Sequence, residues 1–147
     1  MGLDPPKRTE PPELPVSTTF HCTLTTPETE VFDREVTYVD LPAHDGQIGI
    51  LPNRAPLLVK LGYGALRLKD TSGNETAMFI GGGFAQVKGG GVEILTDEAR
   101  GLDELTSAEA EQAMTDALAL EGSSTSESAR KQRETDRARA MQRLTSA

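Results

Sequence analysis

The sequence predicts an antiparallel β-sandwich or barrel followed by a hairpin of two α-helices. Between residues 20 and 97, at least eight short β-branched and apolar segments are separated by turn-forming residues. The connections between them are too short for crossover helices, so we expect antiparallel pairing. Near Thr106 the apolar period changes from two to about 3.6 residues, which indicates helices. A chain of 147 residues fits one compact domain with an appendage.

The segment 1–17 contains five prolines among charged residues, and we interpret it as a flexible leader. It has no apolar signal-peptide core, and no part of the chain approaches the roughly 18 apolar residues of a membrane span. We therefore expect a cytosolic chain without direct membrane insertion.

The strand candidates share β-branched and apolar residues, several of them alternating with polar ones. They are FHCTLTT (20–26), EVFDREVTYVDL (30–41), QIGIL (47–51), LLVKL (57–61), ALRLKD (65–70), TAMFIG (76–81), FAQVK (84–88) and VEILTD (92–97). Turns are expected at Ser72–Asn74 and Gly89–Gly91, and close strand packing or a bulge at Gly81–Gly83. Neither glycine run is followed by the Lys-Ser/Thr pair of a phosphate-binding loop, so nucleotide hydrolysis is not expected.

The stretch DGQIGILPNRAPLL, residues 45–58, interrupts the strand pattern. Asp45 and Gly46 can close a tight turn, and Gly49 permits close backbone approach. Pro52 and Pro56 exclude regular ladder pairing, so the sequence predicts a rigid loop here rather than an edge strand.

Two capped helices are expected at the C-terminus. TSAE, residues 106–109, forms a capping box in which Thr106 accepts from the amide of Glu109 while the glutamate reaches back. The first helix should run to about Leu120, break at 121–127, and be followed by a second helix. The apolar positions expected to face the core are Ala110, Ala113, Met114, Ala117 and Leu118 in the first helix, and Ala140, Met141 and Leu144 in the second.

Charge is unevenly distributed. The net charge is −8, yet the segment after residue 127 carries four more positive than negative charges, which leaves −12 on the remainder. Its basic residues are Arg130, Lys131, Arg133, Arg137, Arg139 and Arg143. An acidic body repels phosphate backbones, so a nucleic-acid partner is not expected.

Residues for catalysis or metal binding are few. Cys22 is the only cysteine, and His21 and His44 are the only histidines, so there is no zinc ligand set and no serine–histidine context. We interpret Cys22 as a buried, inert thiol. No catalytic, metal-binding or cofactor-binding residues are predicted.

An ordered set of motifs carries a resemblance to a known family. TPETEVFDREVTYVDLPAHDGQIGILPNRAPLLVKLGYGALRL and then FIGGGFAQVKGGGVEILTDEA resemble the epsilon subunit of F-type ATP synthases, over roughly residues 20–100. The resemblance implies a sandwich of about ten strands (18–103) that binds the gamma subunit and the c ring, without catalytic chemistry. It implies rotor contacts at Asp45, Gly46, Gln47 and Arg54; relatives often carry glutamate in place of Gln47 and histidine in place of Arg54.

The resemblance also implies a regulatory helical hairpin (104–147) that folds on the sandwich or extends into the alpha/beta catalytic head to inhibit ATP hydrolysis. The six basic residues of the second helix would then contact an acidic surface of the head. Some relatives bind ATP through an Ile/Leu-Asp-x-x-Arg-Ala motif. LDELTS, residues 102–107, has Thr106 and Ser107 in place of its arginine and alanine, so weak or absent ATP binding is expected.

Two functional hypotheses follow. The first is a non-catalytic rotor subunit, peripheral on the cytoplasmic side of the cell inner membrane. The second is a free-standing β-sandwich binding module with a basic helical tail.

Overall fold

The computed structural model describes residues 18–146, so the predicted leader at 1–17 lies outside the described residues. The described part contains nine strands, one short 3-10 turn and two α-helices. The strands are β1 (Phe20–Thr25), β2 (Glu30–Ala43), β3 (Gly46–Ile50), β4 (Leu57–Lys60), β5 (Tyr63–Asp70), β6 (Glu75–Gly81), β7 (Phe84–Lys88), β8 (Gly91–Leu95) and β9 (Glu98–Gly101). After the 3-10 turn Leu102–Glu104 come α1 (Ser107–Ala119) and α2 (Thr125–Thr145). The predicted fold class, a β-sandwich followed by a helical hairpin, is confirmed.

The strands form one sheet in the order β4-β7-β8-β1-β2-β5-β6-β9, with β3 paired to β2. Val59 on β4 and Ile80 on β6, from distant places in this order, belong to the same buried cluster. The sheet therefore folds back on itself as a sandwich. The largest fully buried side chains in that cluster are Leu24, Leu41, Ile50, Leu66, Leu68, Ile80 and Ile94.

One strand pair departs from the prediction. β1 pairs antiparallel with β2 but parallel with β8, with His21 opposite Gly91 and Thr25 opposite Leu95. The expectation of antiparallel pairing holds for strands joined by short connections. Here the intervening strands themselves make the crossover, so no helix is needed.

The stretch 45–58 is only partly a loop. Residues Gly46–Ile50 form β3, which is antiparallel to β2 and confirms the strand candidate QIGIL over positions 47–50. The rigid loop expected for the whole stretch 45–58 does not extend over these positions. Glycine at position 49 leaves room for Tyr38 on β2. A Cβ at Gly49 would lie only 2.9 Å from the Tyr38 hydroxyl. The irregular segment is confined to residues 51–56, where the two prolines lie.

The predicted glycine turns are confirmed. Gly89 and Gly90 form the β7–β8 turn with φ of 41° and 82°. Gly83 has φ of 96°, and a Cβ there would lie 1.9 Å from the carbonyl oxygen of Leu95. Only glycine fits where β7 starts this close to the end of β8.

The two helices pack on the sandwich through a second, smaller apolar cluster. Its buried members are Phe79, Leu105, Ala110, Ala140 and Met141, with Ala113 and Leu144 partly buried. Leu118, predicted to face this core, is instead 60% exposed. At 100° per residue, position 118 lies about 80° around the helix from position 110, beyond the narrow stripe that α2 and the sandwich cover. Neither helix in the described range is long and apolar enough to cross a membrane.

Both helices begin with a side-chain cap. Thr106 Oγ1 accepts from the Glu109 amide at 3.1 Å, as predicted, and Ser124 Oγ accepts from the Glu127 amide at 3.1 Å. The predicted return contact of Glu109 is absent, because its carboxylate pairs with Arg100 on β9. Residue 109 therefore ties α1 to the sheet instead of completing its own cap.

Candidate functional site

The first candidate surface is the turn between β2 and β3. Ala43 pairs with Gly46 across it, which leaves Asp45 exposed at the tip. Gly46 has φ of 139°, a value that L-residues rarely adopt. The His44 amide donates to the Lys60 carbonyl at 2.8 Å, so the neighbouring strand braces the turn.

Gln47 is exposed and is the second residue of β3. Its Nε2 donates to the carbonyl oxygen of Ala65 at 3.4 Å. Its amide end is thus oriented toward β5 while the rest of the side chain remains accessible. Asp45, Gly46 and Gln47 therefore form one firm, solvent-facing projection.

Arg54 is not part of this projection. It lies in the exposed segment 51–56, at the opposite end of β3 from Asp45. Five strand residues at about 3.3 Å each place the two ends about 15 Å apart. Arg54 and the turn are therefore separate features of the surface.

The six basic residues of α2 do not share one environment. Arg137 is held by Glu98 on β9, with Nε–Oε2 and Nη2–Oε1 distances of 2.7 Å. These bonds raise the pKa of Arg137 further, against the opposing effect of its burial. Lys131 Nζ donates at 3.2 Å to the carbonyl oxygen of Leu118, near the C-terminus of α1. Arg130 is exposed.

Arg133, Arg139 and Arg143 line an open cleft of about 860 Å³ between α2 and the sandwich. Asp97 and Asp136 also line it, so the cleft carries both signs of charge. The lining includes Gln47 and Gly46, so the β2–β3 turn and the basic face of α2 border the same space.

A second ion pair joins α1 to β9. Arg100 Nη1 and Nη2 lie 2.7 and 3.2 Å from the carboxylate oxygens of Glu109. These bonds lower the pKa of Glu109, and the nearby charge of Arg137 acts in the same direction. The guanidinium also donates to the Glu104 carbonyl at 3.3 Å.

The segment compared above with an ATP-binding motif lies at the start of the hairpin. Leu102 and Asp103 form the 3-10 turn, and Thr106 is the N-cap of α1. Its hydroxyl satisfies a helix amide, a role that the motif's arginine would not perform. Weak ATP binding stays a prediction. Among residues 18–146 no group of three or more potential metal ligands is present.

The comparisons with known proteins agree with this architecture. The family model described as "ATP synthase, Delta/Epsilon chain, beta-sandwich domain" matches residues 19–101. The chain belongs to this ATP synthase family. It is 42% identical over 104 residues to the ATP synthase epsilon chain of Rhodopirellula baltica, covering 71% of this chain and 80% of the relative.

Two solved structures share the fold. A chain of the Euglena gracilis mitochondrial ATP synthase structure (OSCP/F1/c-ring) has a TM-score of 0.75 at 21% identity, covering 87% of this chain and 82% of its own. A chain of the Tetrahymena thermophila mitochondrial ATP synthase structure (central stalk/c-ring) has a TM-score of 0.68 at 17% identity, covering 86% and 96%. The shared fold extends beyond the sandwich into the hairpin.

The family assignment makes this ATP synthase chain an epsilon-type subunit, which is structural and non-catalytic. Sequence reasoning identified the turn and the basic helix but missed β9, whose Glu98 and Arg100 bind the two helices. Glu98 and Arg100 alternate in DEARG, so they share a face once this segment is known to be a strand. Their partners on the helices were not predictable, because that pairing depends on how the hairpin docks.

Proposed function

We propose that this ATP synthase subunit lies in the central stalk, where residues 18–103 bind the gamma subunit and contact the c ring. It would be peripheral on the cytoplasmic side of the cell inner membrane. Support comes from the epsilon-chain relative and from the central-stalk and c-ring context of the solved structures with the same fold. The braced projection at 45–47 is the proposed c-ring contact, and Arg54 is a separate rotor contact.

Residues 104–147 are proposed as a brake on ATP hydrolysis. The observation that carries this is the small interface holding the hairpin: five buried apolar residues and two ion pairs, with most of α2 exposed. Moving a population from 1:99 to 99:1 takes roughly 5.5 kcal/mol of differential binding. Several arginine–carboxylate contacts between α2 and an acidic surface of the catalytic head would supply energy of this order.

The test is truncation after Asp103 in the reconstituted ATP synthase. We expect higher ATP hydrolysis than with the full chain, because the proposed brake is removed. The truncated chain should still fold, because the sheet is complete without the helices. A second variant is the full-length chain with the six basic residues of α2 changed to glutamine. It should also raise hydrolysis, because the proposed contacts with the head are removed. Unchanged hydrolysis across nucleotide and salt conditions would refute the brake.

The stalk assignment has its own experiment. A tagged chain should retain gamma, beta and c subunits after stringent washing of solubilised host membranes. Recovery of the chain alone would favour the free-standing binding module instead.

A further inference from the structure

Strand β9 presents two opposite charges to the helical hairpin. Glu98 and Arg100 are two residues apart in an extended strand, so they face the same side. Glu98 binds α2 through Arg137, and Arg100 binds α1 through Glu109. This four-residue strand therefore binds both helices through ion pairs. It supplies the carboxylate to α2 and the guanidinium to α1.

The two pairs differ in how far they are removed from water. The side chains of Arg137 and Glu98 are both 25% exposed, and their contact is bidentate with two distances of 2.7 Å. Arg100 and Glu109 are 28% and 44% exposed. Bidentate, partly buried guanidinium–carboxylate contacts are the stronger and more geometrically specific kind. Both contacts are bidentate, and the Glu98–Arg137 pair is the stronger link because its second bond is shorter, 2.7 Å against 3.2 Å, and its carboxylate is less exposed.

The four side chains alternate in sign, from Arg137 to Glu98 to Arg100 to Glu109. The electrostatic influence of Arg137 reaches Glu109, so the two pairs form one cluster. Removal of one carboxylate leaves a partly desolvated cation without its partner, which is more costly than loss of an exposed pair. The hairpin cannot leave the sandwich without separating both pairs.

We propose that Glu98 is a latch residue that competes with external carboxylates for Arg137 and thereby sets how often the hairpin is docked. Nε and Nη2 of Arg137 donate to Glu98, so a partner's carboxylate that binds these same two groups must displace Glu98. The regulatory consequence rests on the proposed braking function, whereas the latch itself is a property of the isolated chain.

The latch is tested by hydrogen–deuterium exchange on the isolated full-length chain. In Glu98→Gln we expect α1 and α2 amides to exchange at least tenfold faster, with sandwich amides unchanged. Arg137→Gln should do the same, and the double variant E98Q/R137Q should exchange little faster than either single variant, because all three remove the same pair. Glu93→Gln, an exposed acid on β8, is the matched control and should leave exchange as in the wild type.

Unchanged helix exchange in both single variants would overturn the latch. If Glu98→Gln also loosens the sandwich, Arg137→Gln decides, because its change lies on the helix alone. Additive acceleration in E98Q/R137Q, with an intact sandwich, would also count against a direct pair.

ATP hydrolysis by the assembled enzyme separates the latch from the brake. Glu98→Gln leaves Arg137 available to the head, so inhibition should deepen, whereas Arg137→Gln releases the hairpin and removes one inhibitory contact, so inhibition should weaken. Faster helix exchange with unchanged hydrolysis would retain the latch and refute the proposed brake.

Discussion

Truncation of Met141 to alanine should release the hairpin without unfolding the sandwich. Met141 is 1% exposed and packs in the small cluster with Phe79 and Leu105. The change removes Cγ, Sδ and Cε, worth about 2 kcal/mol of transfer free energy at about 0.8 kcal/mol per buried methylene, and a residual cavity adds to it. A loss of about 2 kcal/mol changes an equilibrium about 30-fold.

The assay is hydrogen–deuterium exchange with peptide-level resolution. Amides of α1 and α2 should exchange about 30-fold faster, while amides of β1 and β8 should keep their wild-type rates. Leu118→Ala is the control, since that side chain is 60% exposed and its truncation should leave exchange nearly unchanged. Equal acceleration in helices and sandwich would refute the reasoning, because the hairpin would then not be a separable unit.

Two further predictions concern titratable side chains. Burial raises the pKa of the Cys22 thiol to about 12, so alkylation at pH 8 should be negligible in the native chain and rapid in denaturant; fast native labelling would show that β1 opens readily. The hydrogen bond that His21 Nδ1 donates to the Glu35 carboxylate, aided by the charge of Asp33, raises the pKa of His21 above its ordinary value of 6.5. Its stabilising contribution is therefore complete below pH 6.5 and is lost as pH rises through the folded-state pKa. In an NMR titration Glu35→Gln should lower the His21 midpoint, and an unchanged midpoint would exclude the hydrogen bond as the main cause.

Features that depend on neighbouring residues were predictable from the sequence. The cap at Thr106 and the glycine turn at 89–90 follow from local backbone geometry, which a few residues determine. The burial of Met141 followed from helical periodicity. These elements appear in the structure close to where the sequence places them.

Features that depend on distant partners were not predictable in the same way. β9 is only four residues long and lacks a strong alternating pattern, so it was not recognised as a strand. The contact between Glu98 and Arg137 spans 39 residues and exists only once α2 has docked. The tight turn at Asp45 was predicted correctly, whereas the separation of this turn from Arg54 depends on the pairing of β3 with β2.

The parallel pairing of β1 with β8 affects the order in which the sheet can be completed during synthesis. One edge of β1 pairs with β2, whereas the other edge pairs with β8. The partner of His21 on β8 is Gly91, which is synthesised 70 residues later. At 5–20 residues per second the ribosome needs roughly 4 to 14 s to make that length. During this interval β1 has one open edge, which is a site for wrong pairing with other chains. Chains ending before residue 91 should therefore aggregate, whereas a chain ending at Asp103 retains every strand.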